Sequence, residues 1–403
     1  MATLRMLATL AVILGWAVLP AAADLPMGEV AEFPHAGIAL AIPQDHQMQT
    51  VSQPFDVMRA AAYQNNQPSQ AITLSAIPIS QVALTAEMLA DAMIASQGRN
   101  LAIRNLQVLN KAVMKVSDLD GAARLLSYNL RGDDAVAAMV YFVREIEQPK
   151  IRICYVLTVE APASRKSDVL PTLGEVVKTV RLTAPQHPTA LAITRFGSEI
   201  SDPQGRFSIR PPLGWYASPG PAGLSMAQTD YLLGGLPTVS AHMVVTSLET
   251  IVSTEQQMEH CVQTMQKTAT ERNLEGKLLS RQRCPFAGQD AFQVVFEQSV
   301  KTQPASAPAS AAATQTTEPA SQSAKTDLPA SVVIAQRSFC LPSATGPKAQ
   351  SYSLVLVGQG MAPEAAGAVM NKLAESFQLR QAGSAGTPTT ASAPATSPSS
   401  PAK

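Results

Sequence analysis

Between residues 37 and 182 the chain alternates short apolar runs with turn residues, and the same order returns between residues 206 and 379. Residues 37–43 (GIALAIP) form an apolar run stopped by proline, as do residues 206–212 (RFSIRPP). Residues 72–76 and 239–245 then alternate apolar and polar side chains with the period of two expected of a half-buried strand. A helix follows in each half. In the second, Ser253 and Gln256 have capping-box spacing, and Met258, Cys261, Val262 and Met265 fall at i, i+3, i+4 and i+7. In the first, Leu89, Ala92 and Met93 make the equivalent stripe after Thr85. Next comes an antiparallel meander, at 108–116, 123–130, 136–146 and 151–160 in one half and at 277–284, 291–298, 331–341 and 351–358 in the other. Each half closes with a helix and a short apolar-polar ending, 177–182 and 373–379. A repeat of this length is a tandem duplication. The expected fold class is α+β: two tandem domains, each a central antiparallel β-sheet with helices packed on it.

Residues 1–23 interrupt the pattern at the start: Arg5, an apolar core from Leu7 to Leu19, and three alanines at a cleavage site read as a secretory signal peptide. The core is shorter than the roughly 20 residues a spanning helix needs. The first domain is expected over 32–182, a linker with Pro185 and Pro188 over 183–200, and the second domain over 201–381. Residues 301–329 and 382–403 are rich in Ala, Ser, Thr, Pro and Gln, and cannot bury enough surface to offset ordering entropy. The first of these segments replaces the tight turn Arg131-Gly132-Asp133-Asp134 and reads as an expanded hairpin tip; the second reads as a disordered tail.

At Phe207-Ser208-Ile209, followed by Pro212 and Gly214-Trp215, and at the closing Glu375-Ser376-Phe377-Gln378-Leu379, the second domain resembles the PsbP-like superfamily. That group includes the extrinsic photosystem subunit, the Ran-GTPase-binding nuclear proteins and many bacterial envelope proteins. The element order matches over nearly all of each half, although the first has Asp45-His46 where Gly-Trp would stand. The resemblance implies a central antiparallel sheet with helices on its faces. It implies no reaction, because the members are mostly binding or assembly factors with different partners.

Composition narrows the function classes. Leader removal takes away only Arg5 and leaves acidic residues one ahead of basic ones, which gives no electrostatic footprint for nucleic acid and no basic block for anionic lipid. His35, His46, His187, His242 and His260 share no metal-ligand spacing with one another or with a Cys. His242 falls out of phase with Val239, Ala241, Met243 and Val245 and is expected to face solvent or a domain contact. His46 beside Asp45 reads as a surface turn. Residues 223–227 (GLSMA) resemble a nucleophile elbow without its last Gly, but lie between a Pro-rich turn and residues 231–235, read as an edge strand or loop, where an elbow needs a strand before and a helix after. Arg131-Gly132-Asp133 is ordinary hairpin chemistry. No glycine-rich loop precedes a helix, so no phosphate cradle and no cofactor is expected.

Export permits disulfides. Cys154 reads as a small core residue. Cys284 and Cys340 end strands that flank the strand at 291–298, about 9 to 10 Å apart, beyond the roughly 7 Å that a bridge allows between Cα atoms. Cys261 is then the better partner for one of them, and an all-reduced set stays open. Trp215 is the only Trp outside the leader, as a core plug or as the floor of a ligand site. These features lead to an exported, periplasmic or extracellular, noncatalytic binding or assembly-accessory protein whose partner is a protein or small ligand of the cell envelope. An enzyme with a site assembled from distant residues and a structural spacer tethered by its tail are the alternatives.

Overall fold

Four long antiparallel strands make a meander in each domain, and everything else is arranged around it. The computed structural model describes residues 25–79, 84–147, 150–188, 193, 195–220, 222–300, 331–342 and 348–380. The leader, the insertion at 301–329 and the tail at 382–403 lie outside the described residues.

The first domain runs β1 (Met27–Phe33), β2 (Ile38–Pro43), β3 (Gln47–Gln49), β4 (Asp56–Gln64), β5 (Gln67–Ile79), α1 (Ala86–Gln97), β6 (Ile103–Val116), β7 (Leu119–Leu130), β8 (Asp133–Ile146), β9 (Ile151–Pro162), α2 (Lys166–Thr179) and β10 (Arg181–Leu182). The second runs β11 (Ile200–Ser201), β12 (Phe207–Ile209), β13 (Tyr216–Gly220), β14 (Gly223–Asp230), β15 (Leu236–Leu248), α3 (Thr254–Glu271), β16 (Leu274–Phe286), β17 (Gln289–Val300), β18 (Ser331–Pro342), β19 (Ala349–Gln359), α4 (Pro363–Glu375) and β20 (Gln378–Leu379). β1 starts ahead of the boundary expected at residue 32.

The two domains have one topology. Their seven-stranded antiparallel sheets are ordered β3-β4-β5-β9-β8-β7-β6 and β13-β14-β15-β19-β18-β17-β16, and the three-stranded sheets β1-β2-β10 and β11-β12-β20 also correspond. That shared element order is the one expected from the repeat in the sequence. Val300 and Ser331 end adjacent strands, with Ser299 opposite Ser331, so the insertion joins two neighbours of one hairpin.

A helix covers each face of each large sheet. α2 packs on β2, β8 and β9, and α4 on β17, β18 and β19. In the second domain this side holds Phe286, Phe339 and Phe377, with ring centroids 4.8 Å apart for Phe286 and Phe377. The closing Ser-Phe segment is therefore a core anchor. On the other faces, α1 lies over β7 and β8, whereas α3 lies chiefly over β16 and β17. Ser253 caps α3 in a full capping box with Gln256, as its spacing predicts. Thr85 caps α1 through the Met88 amide. Leu89 and Met93 of the expected stripe pack on the sheet, but its core members are Ala90 and Ile94, and Ala92 is exposed. Small alanines on both sides leave the helical phase undefined by periodicity alone.

Candidate functional site

The two sheets meet at their inner edges. Val51, just after β3, bridges Tyr216 of β13, with the Ala217 amide donating to the Val51 carbonyl at 3.0 Å. Thr50 donates two hydrogen bonds to Ser198, from its amide to Oγ at 2.9 Å and from its hydroxyl to the carbonyl at 2.8 Å.

Residues 231–235, read from sequence as an edge strand or loop, are a loop: a short 3-10 turn at Tyr231–Leu233 followed by Gly234 and Gly235. Asp230, itself buried, accepts from the Leu232 and Leu233 amides through its side chain, and both glycines take positive φ. This turn reaches into the first domain. Tyr231 is 1% exposed and belongs to that domain's core; its hydroxyl donates to the Phe55 carbonyl at 3.5 Å. Thr229 donates to the Pro54 carbonyl beside it. The consecutive Tyr-Leu-Leu run has no strand period because the first domain, not its own sheet, supplies the burial.

Below this contact lies a cavity of about 600 Å³ walled by both domains. His35 and Phe33 come from the first, Trp215, Gln228 and Met361 from the second, and Arg195 from the connecting segment. His35 is 3% exposed, stacks on Tyr231 at 5.9 Å between ring centroids, and has no partner for its Nε2 among the described residues. Burial lowers its pKa to about 4, so the ring is neutral near pH 7. Gly214 makes room for it: a Cβ there would meet His35 Cε1 at 2.8 Å, and φ is +82°. Burial also pushes the Tyr231 phenol upward. Gln228, 6% exposed, adds an amide to the wall, and Glu32 and Arg195 add charged groups. The arrangement mixes aromatic and apolar side chains with charged and hydrogen-bonding groups in a concave space between domains, which suits reversible binding.

Trp215 is 3% exposed, packs in the second domain's core and also lines this cavity. His242 is not part of it. It lies on the opposite face of β15, half-buried, with Nδ1 3.0 Å from Ser225 Oγ, and burial lowers its pKa. His46, expected in a surface turn, is buried, with Asp45 Oδ1 2.8 Å from its Nδ1. His187 pairs with Asp230 at 2.7 Å. His35 and Tyr231 carried no readable signal, since their partners belong to the other domain.

All four cysteines are free in the structure. Cys154 is buried, and burial pushes its thiol up to about 12. Cys284 stands opposite Ala291, whose face packs against α4. Cys261 packs on the other face with Phe292, the face to which Ser338 and Cys340 also alternate. The sheet therefore separates Cys284 from both Cys261 and Cys340.

Among the described residues no group of three or more His, Cys, Asp or Glu side chains could hold a metal ion. No family model and no curated protein matches the sequence. Several solved structures are similar to it. LpqN of Mycobacterium tuberculosis, involved in cell envelope biogenesis, is 15% identical, with 36% of this chain and 83% of that chain covered and a TM-score of 0.31. The cyanobacterial PsbP of Synechocystis is 11% identical, with 40% and 95% covered and a TM-score of 0.29. The immunity protein TplEi of the type VI secretion system of Pseudomonas aeruginosa is 10% identical, with 87% and 96% covered and a TM-score of 0.24.

Proposed function

We propose that this chain is an exported, noncatalytic binding or assembly-accessory protein of the cell envelope, and that it holds a small ligand or a segment of a partner protein in the cavity between its domains. The observation that carries the reading is the cavity of about 600 Å³ built from both copies, with the buried His35 ring unpaired at Nε2 among the described residues. Binding sites are concave, mostly apolar and fitted with few polar groups, often at domain interfaces. Export is supported by the leader pattern, and no helix among the described residues is long and apolar enough to cross a membrane.

With the leader removed, Trp215 is the sole donor for energy transfer to the apolar probe 1-anilinonaphthalene-8-sulfonate. Dye emission excited through Trp215 is expected to rise and saturate. Val30→Phe, which narrows the cavity wall, is expected to weaken the dye about tenfold, or about 1.4 kcal/mol. Absence of transfer, or equal affinity in Val30→Phe, would refute the cavity as the site.

A further inference from the structure

Because α3 lies toward the outer edge of its sheet, a cleft of about 770 Å³ opens between this helix and the central strands. Beneath α1 in the first domain the matching space is about 310 Å³. The floors differ in part. In the first domain Ala137, Met139 and Val156 face α1 and join its apolar cluster, beside Thr73, Ser75, Thr158 and the carboxylate of Glu160. In the second the floor is made of Thr246, Gln336, Ser338, Ser351 and Ser353. Ser338 Oγ donates to Ser353 Oγ at 2.8 Å, and the Gln336 amide donates to Ser338 Oγ at 3.0 Å.

The helix side carries Cys261, Thr264 and Met265, with Phe292 at the base. Burial pushes the Cys261 thiol up to about 12, which makes it a packing group and no nucleophile. None of the residues lining the cleft is Asp, Glu, Lys or Arg. Gln257, which also lines it, has both amide atoms out of contact with solvent and without a hydrogen-bond partner among the described residues. Buried polar groups of this kind are rare unless something unseen completes them.

These features limit the occupant. A charged ligand would find no carboxylate, ammonium or guanidinium among the described residues there, only the imidazole of the exposed His260. An extended peptide would need open backbone groups, yet β18 and β19 are paired on both sides, so no strand can add there. What remains on offer is a set of hydroxyls and amides, each able to donate and accept, beside an apolar wall that includes Leu248, Val252, Met265 and Phe292. We propose that the cleft between α3 and the centre of the second sheet binds a neutral saccharide. Its hydroxyls match the Ser and Thr floor, and its apolar ring face matches Phe292 and Met265. The site is separate from the interdomain cavity and rests on different residues.

Isothermal titration calorimetry of the mature chain with maltotriose and tri-N-acetylchitotriose tests the proposal, with a blocked, uncharged tripeptide as the competing class. At least one trisaccharide is expected to bind. Thr264→Trp, placed on the exposed side of the helix, is expected to weaken it about tenfold or more, and Ser353→Ala by about threefold or more,. Gln97→Trp on the matching helix of the first domain is expected to leave it unchanged. Near-ultraviolet circular dichroism checks folding, and Ser353→Ala decides alone if Thr264→Trp misfolds. No heat with either trisaccharide at millimolar concentration, unchanged affinity in the folded variants, or binding of the peptide only would overturn the proposal. Val30→Phe leaves this binding intact, so failure here and failure of the interdomain cavity are distinguishable.

Discussion

The β4–β5 and β14–β15 connections stand at the same place in the two sheets. The first is two residues, Asn65 and Asn66, both at positive φ, and it ends in solvent. The second is five residues, 231–235, and ends in the core of the other domain. A turn outside the sheet register can change length and chemistry without moving a ladder bond, whereas a one-residue change inside a strand flips every side chain. The duplicated scaffold has accordingly diverged at a turn, and that turn joins the copies. The helices show a second divergence. Arg124, buried on β7, bonds Asp91 of α1 at 3.0 Å and holds that helix over β7 and β8. The Lys111 ammonium, followed by the Arg124 guanidinium, holds the Asp91 carboxyl below the usual range. α3 is tied by exposed pairs instead, Arg283 with Glu255 and Arg281 with Glu259.

The largest effect expected from this comparison is at Trp215, where the first domain has Asp45-His46. Trp215→Ala should cost about 3 to 5 kcal/mol in chemical denaturation, while His46→Ala should cost less, and Trp215 emission in the native chain should be blue-shifted. A red-shifted emission, readily quenched by iodide, would contradict the burial of this ring.

Next is the acid side of the stability curve. His35 titrates near 4 when folded and near 6.5 when unfolded, so the unfolded state binds the extra proton between these values. Its stabilising contribution is whole above pH 6.5 and falls away as pH drops through 6.5 toward 4, by about 3 kcal/mol. His35→Phe is expected to flatten that part of the profile. An unchanged slope between pH 6.5 and 4 would show that the imidazole is not held neutral by burial.

The smallest effects belong to the caps. Ser253→Ala and Thr85→Ala should each cost about 1 kcal/mol, with Ser253→Ala the larger because it breaks a reciprocal pair with Gln256. Equal denaturation midpoints for both variants and the native chain would remove the caps from the account.

The meander, the opening strands and the closing helices were legible because half-buried strands alternate and their turns recur in the same order. The capping box at Ser253 was legible because its partner is three residues away. The α1 stripe was legible at Leu89 and Met93, which pack on the sheet, but not between Ala90 and Ala92, which are alike to a periodicity argument and which only tertiary packing distinguishes. The interdomain cavity was not legible either. Tyr231 and His35 make one stack from positions far apart in the chain, and nothing in the spacing around either residue marks it. Trp215 was visible as a position of interest, but its membership in both a core and a cavity wall depends on where the first domain lies.

The central claim is that the second domain's β14–β15 turn, through Tyr231, fastens two copies of one fold into a single unit enclosing the cavity. Differential scanning calorimetry of the mature chain and of Tyr231→Ala tests it directly. The account predicts one cooperative transition for the native chain and two for the variant, the first domain melting earlier because its core has lost the ring. Two transitions already present in the native chain, or a single unshifted transition in Tyr231→Ala, would contradict it.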